Sequence, residues 1–296
     1  MKVTKAVIPV AGKGTRFLPA TKGVAKEMFP VVDKPCLMLV LEECLNSGIN
    51  DITIILSKEK SYIKEFFKKD NKLEKQLEKK GLSHLLADLN KILENITFHF
   101  TYQDENIIGS GGSIYSARHL LEGEPFAVLY PDDLNYTEPD SRPAIGQLID
   151  AYEKTGKMII GCKEVSADEI YKYSACKVSK KINDSLYEIT DIVEKPKKGT
   201  EPSLISGLAR YIMPANTFDY LEKQVKSSSP GVEIGLTDTM SMILKDEPAY
   251  ALIMQSTRYD TGDKLGYLTA VIDYALRDEK LGKDVYDHIK KLFLKK

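Results

Sequence analysis

Three stretches of the chain carry residue types suited to holding phosphate anions and a hard cation. The first is Gly12-Lys13-Gly14-Thr15-Arg16, followed by Lys26-Glu27. Glycine has no Cβ to hold a ligand away, so main-chain amides here can approach a phosphate closely, and Arg16 and Lys26 supply positive charge beside them. The second is Pro131-Asp132-Asp133, placed directly after the apolar run Phe126 to Tyr130. A carboxylate there can hold Mg²⁺, which prefers oxygen ligands and a bound phosphate. It can equally be a turn aspartate that ends the strand. The third is Glu194-Lys195-Pro196, an acid and a base before a rigid turn, a pattern that by itself also describes an exposed strand end. The four histidines and four cysteines are scattered, with no Cys-x-x-Cys pair and no zinc-like spacing. The chemistry these residues suit is therefore the binding and neutralisation of anions.

Two familiar glycine motifs do not fit. A P-loop requires glycine where Val7 stands, and the dinucleotide fingerprint requires a third glycine where Phe17 stands.

The elements that must position these residues follow from apolar spacing. Lys5 to Ala11 predicts a buried first strand feeding the glycine loop. Leu37 to Leu45 predicts a helix that stops at Asn46-Ser47-Gly48, and Asp51 to Leu56 a second strand. Strand, helix, strand is a βαβ opening and favours a parallel sheet. Residues 58–94 are dense in charge with leucines at helical intervals, which predicts two or three amphipathic helices broken at Gly81. Glutamates interleaved with the lysines argue against a nucleic-acid arm. Ile96 to Tyr102 predicts a strand with Gln103 at its end, and Gly109-Ser110-Gly111-Gly112-Ser113 a turn opening a helix. In an open parallel sheet ligands sit beyond the carboxyl ends of strands, so this turn is a second candidate wall of the site. Strands are also predicted at Lys157 to Val165, Ile189 to Val193 and Ala249 to Ile253, with Asp263 capping a helix through Arg277. Val285 to Leu294 has apolar spacing for a last helix that could pack on the core or on another subunit.

Composition excludes other classes. At 296 residues the chain can bury a large core, and a formal net charge of -1 gives no global field for nucleic acid or an anionic membrane. No apolar run approaches a membrane span, and the amino terminus enters a strand pattern rather than a signal peptide. The expectation is a cytoplasmic protein with reduced cysteines that serve packing.

The pattern Gly12-x-Gly14-Thr15-Arg16-x-x-Pro19 followed by Lys26-Glu27-x-x-Pro30 resembles the signature of the sugar nucleotidyltransferases, the pyrophosphorylases that make nucleotide sugars. The longer strings Thr15 to Lys22 and Lys26 to Pro35 look most like those of the bacterial UTP-glucose-1-phosphate uridylyltransferases. The resemblance implies an α/β fold, a Rossmann-like three-layer sandwich around a mixed, mostly parallel central sheet of the nucleotide-diphospho-sugar transferase type. It implies one nucleotidyltransferase domain over 1–296, with a helical insertion at about 58–94 and a C-terminal helical extension at about 264–296. It implies transfer of a uridylyl group from UTP to glucose 1-phosphate, giving UDP-glucose and pyrophosphate by Mg²⁺-assisted in-line attack.

Roles implied by the same resemblance cover Ala11, Gly12, Gly14 and Thr15 on the nucleotide, with Gln103 and Gly109 on the edge and face of the base. Arg16 and Lys26 go to the triphosphate, mainly the departing pyrophosphate, and Lys195 to the sugar phosphate. Glu194 and the pair Tyr173-Ser174 go to the sugar, and Asp132 and Asp260 to Mg²⁺. Expected partners are UTP and a sugar 1-phosphate, with assembly into a homo-oligomer, a dimer or a tetramer, and no nucleic acid or membrane. The chain departs from the family pattern at Gly112, Ser174, Ala209 and Gly235, which leaves the exact base and sugar open. The alternatives are another nucleotidyltransferase such as a thymidylyltransferase, a glycosyltransferase that uses a nucleotide sugar, and a silent nucleotide-sugar-binding module.

Overall fold

Alternation along the first apolar run decides the architecture. In β1 (Lys5–Pro9) the side chains of Ala6 and Ile8 enter one hydrophobic cluster and that of Val7 enters another. Successive strand residues point to opposite faces, so a strand apolar on both faces must lie inside a sheet covered on both sides. The computed structural model describes residues 2–121, 123–229 and 231–294.

The remaining strands are β2 (Pro30–Val31), β3 (Lys34–Pro35), β4 (Asp51–Leu56), β5 (Thr97–Tyr102), β6 (Phe126–Leu129) and β7 (Asp133–Tyr136). They continue with β8 (Ile159–Glu164), β9 (Ser174–Lys181), β10 (Leu186–Glu194), β11 (Ile205–Met213), β12 (Ala249–Ile253) and β13 (Thr257–Asp260). Among the described residues, β1 and eight of these form one sheet in the order β5-β4-β1-β6-β11-β8-β12-β10-β9, with a further pairing of β11 to β9. The sheet is mixed, and its two halves differ. β5, β4, β1 and β6 run parallel to one another. Beyond β6 the parallel preponderance expected from sequence ends. There only β8 and β12 pair in parallel, while β11 is antiparallel to β6, β8 and β9, and β10 to β12 and β9.

Helices cover both faces. Cys36–Asn46 and Ala144–Thr155 pack with the Ile8 cluster, and Ser110–Tyr115, Thr217–Ser227 and Leu236–Asp246 with the Val7 cluster. Leu37 and Leu41 in the first of these are fully buried. Each gains about 1.5–3 kcal/mol from leaving water, and Leu41→Ala would cost roughly 2–5 kcal/mol by opening a cavity. The same helix buries Glu43, which takes Arg210 on β11 through two guanidinium nitrogens, Nε at 3.1 Å and Nη2 at 2.8 Å. Arg210 is fully buried, so this pair satisfies a charge that would otherwise be stranded between sheet and helix.

The charge-dense stretch is helical in pieces: the 3₁₀ segment Lys58–Phe67, then Asn71–Lys79, the 3₁₀ turn Ser83–Leu86, and Ala87–Asn95. Asp70 caps the second, accepting from the amides of Lys72 and Leu73 at 3.0 Å. Near the carboxyl terminus Asp263 caps Lys264–Arg277 as its position predicted, accepting from Leu265 and Gly266. The last helix, Gly282–Leu294, precedes residues 295 and 296, the end of the expected helical extension, which lie outside the described residues.

Candidate active site

The glycine loop leaves β1 at its carboxyl end, with the Val10 amide still bonded to the Ile55 carbonyl of β4 at 2.7 Å. Gly14 adopts a left-handed conformation, φ 64°, and its carbonyl accepts from the Thr21 hydroxyl at 2.8 Å. Lys26 starts the 3₁₀ turn Lys26–Met28, and its ammonium donates to Asp132 Oδ2. Gly12 lies against the Lys26 side chain, since a Cβ there would stand 3.9 Å from Cε.

A cleft of about 530 Å³ opens beside this loop. Ala11, Gly12, Lys26, Gln103, Gly109 and Asp132 all line it, together with Glu233 from a later segment. Gly109 is required by its surroundings. Its φ is 96°, and a Cβ would lie 2.5 Å from the Ile234 carbonyl oxygen. The amide of Gly111 donates to that same oxygen at 2.8 Å, so the turn is stitched to the segment that carries Glu233.

The two neighbouring aspartates face different surroundings. Asp133 is buried, bonded to Arg258 Nε at 2.6 Å and to the Asn135 amide at 3.0 Å. Asp132 retains 27% side-chain exposure and faces the cleft. The chain then turns into β7, which pairs antiparallel with β13 and sets Asp133 opposite Asp260. A Cβ placed on Gly262 would lie 2.8 Å from Asp132 Oδ2 and 3.1 Å from Asp260 Oδ1, so both carboxylates flank one point.

A second cleft, about 590 Å³, is lined by Arg16, Tyr173, Arg258, Asp260 and Asp263 among others, and it reaches that point through Asp260. Arg16 reaches across the chain to donate to the Gly262 carbonyl at 3.3 Å. Arg258 ties the region together. Besides Asp133, its guanidinium stands 3.7 Å from Asp260 Oδ2, donates to the Tyr173 hydroxyl at 3.4 Å and lies over the Tyr173 ring. Burial works against its charge, but Asp133 and Asp260 outweigh burial and hold it above the ordinary arginine value.

Glu194 and Lys195 end β10 beside these residues and line neither cleft. Glu194 accepts from the Thr237 hydroxyl at 2.9 Å, and Lys195, at φ 44°, donates its amide to the Tyr173 carbonyl at 2.9 Å. Gly14 and Thr15 lie in the loop backbone and also line neither cleft. Ser174 directly follows Tyr173 at the start of β9. Its side chain is buried and donates to the Gly207 carbonyl at 3.3 Å, so the hydroxyl serves the β9–β11 seam instead of a ligand.

Sequence reasoning missed three participants. Arg258 could have been found, because residues two apart on a strand share a face and Asp260 follows at that interval. Lys60 and Tyr62 gave no such signal, standing in a charged stretch that reads as surface. Lys60 donates to Glu27 Oε2 at 2.7 Å in a buried pair, and burial pushes Glu27 up and Lys60 down while each opposes the shift of the other. Cys36 also sits near Asp132, and burial pushes its thiol up to about 11, which keeps it neutral and removes it as a nucleophile.

Two carboxylates facing one point suit a cation that completes its shell with phosphate and water, as Mg²⁺ does. Among the described residues no group of three or more His, Cys, Asp or Glu forms a closed protein cage.

A Rossmann-like sandwich with a glycine loop and two neighbouring carboxylates beyond its strand ends matches a nucleotidyltransferase class of site. The chain belongs to the nucleotidyl transferase family, whose model matches residues 5–276. It is 42% identical over 293 residues to a UTP–glucose-1-phosphate uridylyltransferase 2 of Staphylococcus saprophyticus, covering 99% of each chain. Among solved structures it is similar to a UTP-bound UGPase from Acinetobacter baumannii, with 33% identity, 99% of each chain covered and a TM-score of 0.86. It is also similar to a UDP-glucose pyrophosphorylase complexed with UDP-glucose, with 30% identity, 93% of this chain and 100% of the other covered and a TM-score of 0.83.

Proposed function

We propose that the protein transfers a uridylyl group from UTP to glucose 1-phosphate, giving UDP-glucose and releasing pyrophosphate. Relatives named for this reaction match the chain from end to end, and solved neighbours carry UTP and UDP-glucose. The observation in the structure that supports the reading most directly is the meeting of Asp132, Asp260 and Lys26 where the two clefts adjoin.

The chemistry asks for positioning more than for proton transfer. A sugar phosphate oxygen is already an anion at neutral pH, so it attacks the α-phosphorus without a general base while pyrophosphate leaves in line. Lys26 and Arg16 draw the triphosphate into the junction and neutralise charge that builds on the leaving pyrophosphate. Amides of Ala11, Gly12, Gly14 and Thr15 approach the nucleotide, and Gln103 and Gly109 hold the base at the far end of the first cleft. Lys195 binds the sugar phosphate, Glu194 and Tyr173 orient the sugar, and the Ser174 backbone closes that wall. Asp132 and Asp260 would hold Mg²⁺, which supplies charge neutralisation and a template for the phosphates.

The reading extends to assembly and place. The outer face of Lys264–Arg277 exposes Leu265, Leu268, Ile272 and Leu276, which supports a homo-oligomer. Among the described residues no helix is long and apolar enough to cross a membrane, and we place the enzyme in the cytoplasm. One assay tests the function: pyrophosphate release from UTP, dTTP, CTP and GTP, each with glucose 1-phosphate and other sugar 1-phosphates. UTP with glucose 1-phosphate is expected to be fastest. A clear preference for dTTP would replace the uridylyltransferase reading with the thymidylyltransferase one.

A further inference from the structure

We infer that Lys60 and Tyr62 are positioning residues that hold the turn carrying Lys26, and through it the pyrophosphate end of the nucleotide site. The turn Lys26–Met28 is a single 3₁₀ turn with extended backbone on both sides, at Ala25 and Phe29. Such a turn has few hydrogen bonds of its own and takes its orientation from its neighbours. Two polar contacts from the segment Lys58–Phe67 supply it. The amide of Ala25 donates to the Tyr62 hydroxyl at 2.6 Å, and Lys60 Nζ donates to Glu27 Oε2 at 2.7 Å. They grip the residues immediately before and after Lys26.

The gripping segment is itself rooted, since Ile63 is 1% exposed and belongs to the core. Beside the contacts lies a cavity of about 360 Å³ lined by Thr21, Lys22, Ala25, Lys60 and Tyr62, so there is open space next to the turn. Glu27 is 1% exposed and Lys60 9%. A buried ion pair adds little stability over an apolar pair of the same size, so what it offers is orientation. Lys60⁺, Glu27⁻, Lys26⁺ and Asp132⁻ then form an alternating row, each cation bonded to the next acid in its pair. Without the Lys60 bond, Glu27 loses its tether to the segment Lys58–Phe67, and the turn keeps only the Tyr62 contact on that side. The loss would fall on the group assigned to the triphosphate, not on the sugar side.

The inference rests on the assignment of Lys26 to the triphosphate, so its test carries Lys26→Ala as a reference. Steady-state kinetics are measured in both directions for Lys60→Met, for Tyr62→Phe and for the charge-neutral pair Glu27→Gln with Lys60→Met, which leaves no buried unpaired charge. Expected is a rise of about tenfold in KM for UTP and for pyrophosphate in Lys60→Met and in the double variant. Values for glucose 1-phosphate should stay within about twofold, and the melting temperature of the double variant close to that of the parent. Tyr62→Phe should shift the same two constants by a smaller factor. If Lys26→Ala weakens use of UTP and pyrophosphate while the double variant behaves as the parent, Lys60 holds nothing that matters and the inference falls alone. If the double variant raises all the Michaelis constants equally, the role is structural and the inference also falls. If Lys26→Ala leaves UTP and pyrophosphate untouched, the assignment of Lys26 and the inference fall together.

Discussion

The first cleft and the Glu194-Lys195 turn belong to opposite halves of the sheet and are held to different degrees. The first rises from the parallel half, where β1, β5 and β6 deliver the glycine loop, Gln103 and Asp132 to one edge. Its charged groups are half-shielded and paired, with Lys26 at 18% and Asp132 at 27% side-chain exposure. On the antiparallel side the Glu194-Lys195 turn is more open, at 49% and 64%, and the nearest approach of the two charges is 3.9 Å. Parallel strands all end at the same edge, so their loops converge without special devices. Antiparallel strands return their ends to both edges, and this turn is tied to its surroundings by the Lys195 amide on the Tyr173 carbonyl and by the Thr237 hydroxyl on Glu194. The charges of the first cleft are thus paired and partly shielded, and those of the turn stand open to solvent.

That contrast predicts where substitutions act. The largest effect is expected for Asp132→Asn, a loss of more than about a hundredfold in kcat, or roughly 2.7 kcal/mol of transition-state stabilisation. Retention of most activity with Mg²⁺ in the purified variant would remove Asp132 from the centre of the first cleft. Next comes Gly109→Ala, which places a Cβ against the Ile234 carbonyl at a backbone angle that L residues avoid. A cost of about 1–3 kcal/mol in thermal or urea unfolding is expected, together with weaker UTP binding. A variant as stable as the parent would show that the wall of the first cleft is adaptable after all.

Lys195→Ala should act differently, raising KM for glucose 1-phosphate by about tenfold, near 1.4 kcal/mol, while UTP affinity is kept. Separate titration of the two ligands reads that asymmetry, and equal losses for both would break the division between the first cleft and the turn. The smallest effect near neutral pH is expected at Cys36. With a thiol pushed up to about 11, it should resist iodoacetamide in the folded protein at pH 8. The unfolded chain ionises this thiol first, so its contribution to stability is full below the ordinary cysteine range and is lost as pH rises toward about 11. Comparing unfolding of the parent and Cys36→Ala across that window measures the slope.

Much of the first cleft was legible because its residues are local to strand ends. Lys5 to Ala11 and Phe126 to Tyr130 are apolar runs that break into Gly12 and into Asp132, and such runs read as buried strands ending in loops. The choice between Asp132 and Asp133 was implied only by family resemblance; in the fold Asp133 is engaged by Arg258 while Asp132 lines the first cleft. The proposed sugar side was less legible. Ser174 stands where the family pattern suggested a ligand contact, yet its hydroxyl turns into the seam with β11. Nothing local to its sequence could reveal that seam, because it depends on a pairing of β9 with β11.

By itself the amino-acid sequence determined which segments are strands and helices, where the glycine loop breaks the first strand, and which residue types are available to hold phosphate and a cation. Those are matters of spacing, side-chain volume and backbone freedom over a few residues. Only the tertiary structure decided that β7 pairs with β13, setting Asp132 and Asp260 around Gly262, and that Lys60 enters the interior to take Glu27. Pairings between distant segments arise from closing the sheet and covering its faces, and no local pattern encodes which buried charge will find which partner.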